Sequence, residues 1–289
     1  MSTILPTPAD LIIIPRDRRF GRAAPAPRLW HGGRVEATAI YNALSMTFPK
    51  GEAFFVESVR AFRNGAPPRL AEDIRAFTTQ EAIHSREHDA FNKRAAVSGY
   101  DLARLESQVE RRLALTRSRA PIVSLAATMA LEHFTAILAH QLLADPRHLE
   151  GADKETADLW RWHAVEEIEH KGVAYDTWLN ATRHWPRLKR WKLKSRVMIY
   201  VTRNFLVDRT IGALDLMRQD GVTGLRAGRL LVGYLWLKPG MFRKIAGSWF
   251  RYFLPGFHPW NADDRALLGA KDASFRPFPE PTRKVRRAV

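Results

Sequence analysis

The sequence contains no cysteine among its 289 residues, and this absence excludes several kinds of chemistry. Disulfide bonds, iron–sulfur clusters, thiolate-ligated zinc and cysteine nucleophiles all require that side chain. The chain is not of low complexity, because hydrophobic residues make up 46% of it and charged residues 26%, as in ordinary globular proteins. Any metal site or catalytic group must therefore be built from other side chains of a folded domain.

The chain also lacks an uninterrupted apolar run of the roughly 18 residues that indicate a membrane-spanning helix. Its best candidate, residues 197–216, is interrupted by Arg203, Asp208, Arg209 and Asp215. The N-terminus has neither the basic segment nor the long apolar segment of a secretory signal peptide. We therefore predict a cytoplasmic protein without a transmembrane helix, either free or peripheral at the inner membrane surface.

Acidic residues are scarce in the last part of the chain. The formal net charge is +16, from 46 basic and 30 acidic residues, yet residues 1–180 carry no net charge. Residues 181–289 hold 23 basic and 7 acidic residues, together with five of the nine tryptophans. Basic and aromatic residues together favour an anionic membrane surface as a partner, although packing of the aromatics on the rest of the protein explains the pattern equally well. Nucleic acid is not an expected partner, because no recognised binding motif is present.

Strand-like alternation of apolar and polar residues is missing as well, so we predict an all-α protein. Prolines and glycines separate helices predicted at residues 35–62 (kinked at 48–51), 70–97, 102–116, 121–145, 153–182, 190–218, 222–237 and 240–253. Long helices with short connections favour a four-helix bundle. The predicted organisation is an irregular N-terminal arm (1–33), a four-helix bundle with one extra short helix (34–184), a basic aromatic helical module packed on the bundle (185–260) and a flexible basic tail (261–289).

Two of the predicted helices each carry the sequence Glu-x-x-His on a face that is otherwise apolar. Glu81 and His84 form the first pair, and Glu167 and His170 form the second. Residues three or four apart lie on one side of a helix, so each pair presents both side chains to the core. A single Glu-x-x-His is a weak signal, but its repetition on two long helices indicates a shared site.

Single glutamates lie on the apolar faces of two further helices. Glu52 precedes Glu81 by 29 residues, and Glu132 precedes Glu167 by 35. A buried carboxylate costs several kcal/mol unless it is paired or bound to a metal, and these faces offer no cationic partner. One glutamate from each of two helices, plus Glu-x-x-His from each of the other two, is the ligand set of ferritin-like di-iron proteins. The predicted metal ligands are Glu52, Glu81, His84, Glu132, Glu167 and His170.

Several neighbouring side chains lie close to the predicted ligands in the sequence. His88 and His163 lie one helical turn from the two Glu-x-x-His pairs, and each is expected either to ligate metal or to hydrogen-bond a ligand. His133 is expected to be structural. Glu166 and Glu169 are expected to face solvent or to pair with Arg or Lys, with Glu166 as the ligand if the helix register differs by one residue.

These motifs resemble a bacterial ferritin-like family usually labelled "predicted metal-dependent hydrolase". The stretches that carry the resemblance are Phe48-Pro49-Lys50-Gly51-Glu52, Gln80-Glu81-Ala82-Ile83-His84, Ala130-Leu131-Glu132-His133 and the segment from Trp162 to Lys171. The resemblance spans roughly residues 35–260 and implies a metal-binding helical domain. The word "hydrolase" in that label does not by itself define the reaction.

A dinuclear site of glutamates and histidines suits two iron ions, with manganese as an alternative. The principal prediction is an oxidoreductase that uses O2 as co-substrate and an electron donor to hydroxylate, desaturate or N-oxygenate an apolar or lipid-like substrate. The alternative is a dinuclear metal-dependent hydrolase that uses a bridging hydroxide as nucleophile. A second alternative is a non-catalytic metal-binding protein. The sequence leaves the oligomeric state open, a homodimer included.

Overall fold

The computed structural model describes residues 7–21 and 27–272, with side chains as far as residue 269. Within these residues the protein is all-α, as predicted, and no strand is present. The helices are α1 (Val35–Ser45), α2 (Phe48–Arg60), α3 (Pro68–Val97), α4 (Ala103–Arg117), α5 (Pro121–Ala144), α6 (Lys154–His170), α7 (Val173–Ala181), α8 (Arg187–Gln219), α9 (Gly224–Val232), α10 (Met241–Arg251) and α11 (Arg265–Asp272).

Two of the predicted helices are broken in the structure. The helix predicted at 35–62 is two helices, because α1 ends at Ser45 and α2 starts afresh at Phe48 with Pro49 in its first turn, where proline is tolerated. The helix predicted at 153–182 is interrupted between α6 and α7 at Gly172. A Cβ atom at Gly172 would lie 2.5 Å from Thr7 Oγ1 and 3.0 Å from Trp260 Cδ1, so the N-terminal arm and the C-terminal segment both pack closely against this position.

Four helices surround the interior that contains the predicted ligands. α2 packs against α3 and α5, and α6 packs against α3 and α5, which closes a ring of four helices. The basic C-terminal helices pack directly on this ring, because α8 contacts α1 and α5 and α10 contacts α5. α5 meets the length and apolarity of a membrane span, but 67% of its most apolar stretch is buried inside the protein, which is typical of a core helix.

The N-terminal arm and the C-terminal segment are both anchored to the ring of helices. Residues 7–21 form no helix, yet Arg16 is buried against α6. The prediction of a flexible tail from residue 261 does not hold as far as residue 272, where α11 packs against α5 and α6. A buried ion pair of 2.5 Å between Lys171 Nζ and Asp264 Oδ2 holds this segment in place. Residues 273–289 of the predicted tail lie outside the described residues.

Candidate metal centre

The six predicted ligands lie together in the interior of the ring of four helices, and all are buried. α2 supplies Glu52, α3 supplies Glu81 and His84, α5 supplies Glu132, and α6 supplies Glu167 and His170. The fold therefore joins residues more than one hundred positions apart in the chain. Their ligand atoms fall into overlapping groups around two neighbouring positions.

The first position is centred on His170. Its Nε2 atom lies 3.2 Å from Glu81 Oε1, 3.4 Å from Glu132 Oε2 and 3.5 Å from Glu167 Oε1. The ligand atoms of Glu81, Glu132 and His170 all lie within 4.8 Å of one another. These side chains come from α3, α5 and α6, so their convergence depends on the packing of three helices.

The second position lies between α2, α3 and α6. Glu52, His84 and His163 bring their ligand atoms within 4.8 Å of one another, and Glu81, His84 and Glu167 form a further overlapping group. Glu167 Oε1 lies 2.9 Å from His163 Nε2 and 3.7 Å from His84 Nδ1. Glu81 and Glu167 approach residues of both positions, as expected of carboxylates between two metal ions.

The hydrogen-bonding state of these atoms tests whether they fit a metal. Nine buried ligand-type atoms have no hydrogen-bond partner within the described residues: both carboxylate oxygens of Glu52, Glu81 and Glu132, Oε2 of Glu167, Nδ1 of His84 and Nε2 of His170. Buried polar atoms are nearly always satisfied, and four carboxylates without an adjacent Arg or Lys are costly. Divalent cations would satisfy all of these atoms together, so the residues present fit a dinuclear metal site.

Burial and mutual repulsion determine the charge state of the glutamates. Burial, followed by repulsion from neighbouring carboxylates, raises the pKa of Glu52, Glu81 and Glu132 well above the usual range. Glu167 is buried too, but His170 and His163 outweigh the effect of burial and lower its pKa. Burial, followed by repulsion from His163, lowers the pKa of His84 and keeps its imidazole neutral, which is the form that ligates metal.

Side chains outside the predicted ligand set orient two of the histidines. His84 Nε2 lies 3.0 Å from Glu166 Oε2, and His170 Nδ1 lies 3.0 Å from Gln80 Oε1. Each contact occupies one ring nitrogen and leaves the other directed at the glutamates, which is the usual arrangement around metal-ligating histidines. The role of Gln80 was not predicted, because an amide that precedes a Glu-x-x-His pair has no distinctive sequence signal.

Glu166 and Glu169 are buried and pair with an arginine of the N-terminal arm. Arg16 Nη2 lies 2.6 Å from Glu169 Oε1, and Arg16 Nη1 lies 3.3 Å from Glu166 Oε1. Pairing with an arginine was one of the two predicted alternatives, whereas exposure to solvent was wrong. Burial nevertheless raises the pKa of Glu166 to about 7, with Arg16 acting in the opposite direction. The arm thus contributes to the surroundings of His84 through Glu166.

The two additional histidines occupy different places. His163 belongs to the group with Glu52 and His84, whereas His88 contacts His163 at 2.6 Å from Nε2 to Nδ1. His88 Nδ1 also lies 2.9 Å from Ser45 Oγ. His133 lies outside these groups, where its Nε2 is 3.2 Å from the carbonyl oxygen of Ser248, in agreement with a structural role.

A cavity of about 720 Å³ lies between α2, α4, α5 and α8 and reaches the candidate centre. Glu52 lines it, together with Phe48, Phe55 and other mainly apolar side chains. Its volume lies in the usual range for small-molecule sites. The candidate metal centre is therefore connected to a cavity able to hold an apolar substrate.

Comparison with known families gives a match over residues 14–263 to a family described as "Predicted metal-dependent hydrolase". Comparison with curated proteins and with solved structures gives no match.

The family description contradicts the principal prediction of an oxidoreductase that uses O2 and agrees with the hydrolase alternative. The prediction was wrong because it inferred the reaction from the ligand set. Buried glutamates and histidines hold divalent cations that serve either redox or Lewis-acid chemistry. O2 and an electron donor were expected solely for the oxidative reaction, so both are withdrawn with it.

Proposed function

The chain belongs to the family described as predicted metal-dependent hydrolases, and from that premise we propose that it is a hydrolase with a dinuclear metal centre in a ferritin-like ring of α2, α3, α5 and α6. The observation that carries this proposal is the convergence of four buried glutamates and three histidines whose ligand atoms form overlapping groups. Such a cluster has no stabilising role without cations, because each buried and unpaired carboxylate is costly.

Iron or manganese is the metal that this donor set suits best. Glu132 and His170 would hold one ion, Glu52, His84 and His163 would hold the other, and Glu81 and Glu167 lie close to both groups. In this assignment His163 is a ligand and His88 orients it. The six predicted ligands are thereby supplemented by a third histidine.

A bound pair of divalent cations supplies a water nucleophile that is deprotonated near neutral pH and polarises the bond to be cleaved. The protein supplies the remaining requirements through its own residues. Glu166 and Gln80 fix the ring orientations of His84 and His170. Glu52 lines the cavity, so a substrate held there lies next to the centre. The apolar wall keeps bulk water away from that contact and strengthens its electrostatic interactions.

Metal analysis and hydrolysis assays of the full-length protein test this proposal. We expect two metal ions per chain after reconstitution with ferrous iron under anaerobic conditions or with manganese. The loaded protein should hydrolyse members of a panel of p-nitrophenyl esters, anilides and phosphodiesters, and the activity should disappear with a chelator.

Two variants make the experiment specific to the proposed centre. Glu132→Gln should lose metal and activity together, because it removes a ligand that is buried in the ring of helices. Glu57→Gln is the matched control, since Glu57 is exposed on α2 and pairs with Arg117. A metal content below two ions per chain, or hydrolysis that persists without metal, would refute the proposal.

We further propose that the C-terminal helices bind an anionic membrane surface. Large apolar side chains are exposed there beside exposed basic residues, among them Lys192, Lys238, Arg243 and Arg251. The exposed apolar residues of these helices are Leu188, Trp191, Ile199, Tyr200, Val207, Ile211, Leu225, Val232, Trp236, Leu237, Phe250 and Leu254. Such a combination favours the interface of an anionic bilayer.

Co-sedimentation with liposomes across a range of salt concentrations tests the membrane proposal. Binding to phosphatidylglycerol vesicles at low salt, with much weaker binding to phosphatidylcholine vesicles, is the expected result. Self-association through the same surface is the competing outcome, and a homodimer whose formation is independent of salt, without vesicle binding, would overturn the proposal.

A further inference from the structure

The cavity between α2, α4, α5 and α8 has an apolar interior and two uncommitted arginines. We propose that it binds an anionic amphiphile, with the apolar chain inside the cavity, the anionic group at Arg119 and Arg196, and the bond to be hydrolysed beside Glu52. This inference rests on the proposed function in one respect, because the hydrolytic centre defines the reactive end of the substrate.

The inner part of the cavity is suited to a hydrocarbon chain. Phe54, Phe55 and Ala127 are buried in its wall, and the volume is about 720 Å³. Apolar surface stabilises a bound chain in proportion to the area removed from water. Glu52 is the only candidate metal ligand among the lining residues of the cavity. A hydrocarbon chain bound in the cavity would therefore extend from the protein surface to the candidate centre at Glu52.

The charged residues of the cavity differ in whether they already have partners. Arg112 is committed to Asp208, at 2.8 Å from Nε to Oδ2, and Arg209 is buried and donates a hydrogen bond to the carbonyl oxygen of Ala43. Arg119 and Arg196 also line the cavity but are exposed, and neither guanidinium makes an ion pair or hydrogen bond with a residue that the structure describes.

Their exposure places these two guanidinium groups at the mouth of the cavity, beside the exposed apolar residues Leu115 and Tyr200. A rim with free cations and apolar surface, above an apolar interior, is complementary to an amphiphile with a negatively charged end. Arginine favours carboxylate and phosphate groups because its planar guanidinium donates paired hydrogen bonds.

The reaction at the inner end is an ordinary hydrolysis. The oxygen of a water molecule forms a bond to the acyl carbon or phosphorus next to Glu52. The bond from that atom to the leaving oxygen or nitrogen breaks, and the leaving group takes up the proton that the water released. No oxidant or reductant is required.

Binding of dodecanoate to the metal-loaded full-length protein, measured by calorimetry below the micellar concentration, tests the inference. Dodecanol and dodecyltrimethylammonium have the same chain without the negative charge and should bind more weakly. In the series from decanoate to tetradecanoate, each added methylene should strengthen binding about 4-fold, which corresponds to about 0.8 kcal/mol.

Two sets of variants separate the anionic end from the apolar chain. Arg119→Gln/Arg196→Gln should weaken dodecanoate binding by about 10-fold or more and leave dodecanol binding unchanged. Arg111→Gln/Arg203→Gln, which removes two exposed arginines outside the cavity, is the matched control. Equal binding of dodecanoate by both double variants would overturn the anionic end of the proposal and would indicate that the carboxylate binds elsewhere, for instance at the metals.

Gly51 offers a position at which a larger side chain would block the cavity itself. It lines the cavity next to Glu52, and a Cβ atom added there meets no atom within 4 Å. Gly51→Phe should therefore abolish binding of all the dodecyl probes, whereas Gly228→Phe, at an equally open glycine on α9, should not. Unchanged binding by Gly51→Phe overturns the inference.

The outcomes also distinguish this inference from the proposed function. Tight binding of dodecanoate in the cavity without hydrolysis of any ester would refute the proposed function and leave the binding site intact. Metal-dependent hydrolysis that shows no preference for chain length or negative charge would refute the inference and leave the proposed function intact.

Discussion

His88 Nε2 lies 2.6 Å from His163 Nδ1, and this contact belongs to a buried hydrogen-bond chain that ends at the candidate metal centre. Asn92 accepts the hydroxyl proton of Ser45 at 2.7 Å, so Ser45 Oγ must accept the Nδ1 proton of His88. His88 Nε2 is then an acceptor, and the Nδ1–H group of His163 donates a hydrogen bond to it. The chain thereby favours the tautomer of His163 whose Nε2 atom, 2.9 Å from Glu167 Oε1, would be available to a cation bound between His163, Glu52 and Glu167.

We expect His88→Ala to weaken metal binding about 10–100-fold, the usual effect of removing a side chain that orients a ligand. The physical reason is that His163 loses its acceptor and is free to adopt the other tautomer. Metal affinity can be measured by competition with a chromophoric chelator. His133→Ala is the control, because His133 is equally buried but bonds to the carbonyl oxygen of Ser248 outside the centre.

Metal affinity, rather than melting temperature, separates the orienting role of His88 from a purely structural role. His88→Ala and His133→Ala should both lower the melting temperature, but only the first should lower metal affinity. Metal binding by His88→Ala equal to that of the wild type would show that the hydrogen-bond chain does not govern His163.

Glu132→Gln should stabilise the metal-free protein while it abolishes one metal position. Burial and the neighbouring carboxylates raise the pKa of Glu132, so the folded chain is penalised for holding this group near neutral pH. A neutral amide of similar shape removes that penalty, and we expect a gain of about 1–3 kcal/mol in the free energy of unfolding. Denaturant unfolding with a chelator present measures it.

Exposed Glu57 provides the comparison for this substitution. Glu57→Gln should leave both the stability and the metal content unchanged. If Glu132→Gln destabilised the metal-free protein, the carboxylate would have a structural partner, and the stability cost attributed here to the centre would be wrong.

The clustering of the residues in the candidate centre could be predicted from the sequence because helical spacing carries that information directly. Glu81 with His84 and Glu167 with His170 repeat one spacing on two helices, and buried glutamates without cationic partners require an explanation in any fold. The structure places these residues within 4.8 Å of one another in overlapping groups, and their role as metal ligands stays a prediction.

Other features of the centre depend on contacts between distant segments and carry no local signal. Arg16 is separated from Glu169 by 153 residues and lies in an arm without helical periodicity. Gly172 likewise packs against Thr7 and Trp260, which lie far away in the chain. Of the two alternatives for Glu169, exposure was wrong and pairing with an arginine holds. Helical spacing identifies one buried face, whereas α6 is buried on all sides from Trp162 to His170.

Arg16→Met should be strongly destabilising, because it leaves Glu166 and Glu169 buried without their cationic partner. Removal of one member of a buried ion pair typically costs about 3–5 kcal/mol. Thermal or denaturant unfolding measures the loss, and Arg16→Met/Glu169→Gln should recover part of it, since that variant removes one of the unpaired charges.

The control for Arg16 is Arg265, whose ion pairs with Asp263 and Asp10 lie at the surface. Arg265→Met should have no measurable effect on stability, because solvent screens such pairs. Similar effects of the two arginine variants would mean that the arm does not stabilise α6 through Arg16.

The metal-free protein is expected to lose stability as the pH rises from 6.5 to 8. The folded-state pKa values of Glu52, Glu81 and Glu132 are raised well above 4.5 by burial and by neighbouring carboxylates. In this range the folded chain therefore holds more protons than the unfolded chain, and a rise in pH favours unfolding. Each carboxylate that stays protonated contributes up to about 1.4 kcal/mol per pH unit.

Other buried groups set the limits of this pH range. Burial lowers the pKa of His84 and His88 well below 6.5, so below that pH the unfolded chain takes up protons and stability rises with pH. Burial also lowers the pKa of Lys194 from 10.5 to about 8. Above pH 8 the unfolded chain therefore holds the extra proton, and stability again rises with pH. Between these limits the carboxylates dominate the pH dependence.

Bound metal should reverse the pH dependence, because the glutamates bind as carboxylates and protons compete less as the pH rises. The difference in melting temperature between metal-loaded and metal-free protein should therefore widen from pH 6.5 to pH 8. Calorimetric melting curves with and without a chelator measure this difference. In Glu52→Gln/Glu81→Gln/Glu132→Gln the metal-free decline should be much smaller, since none of the three side chains can ionise, and the remainder would come from Glu166, whose pKa burial raises to about 7. A metal-free melting temperature that stays constant or rises in the wild type would contradict the raised pKa values and, with them, the electrostatic basis of the centre.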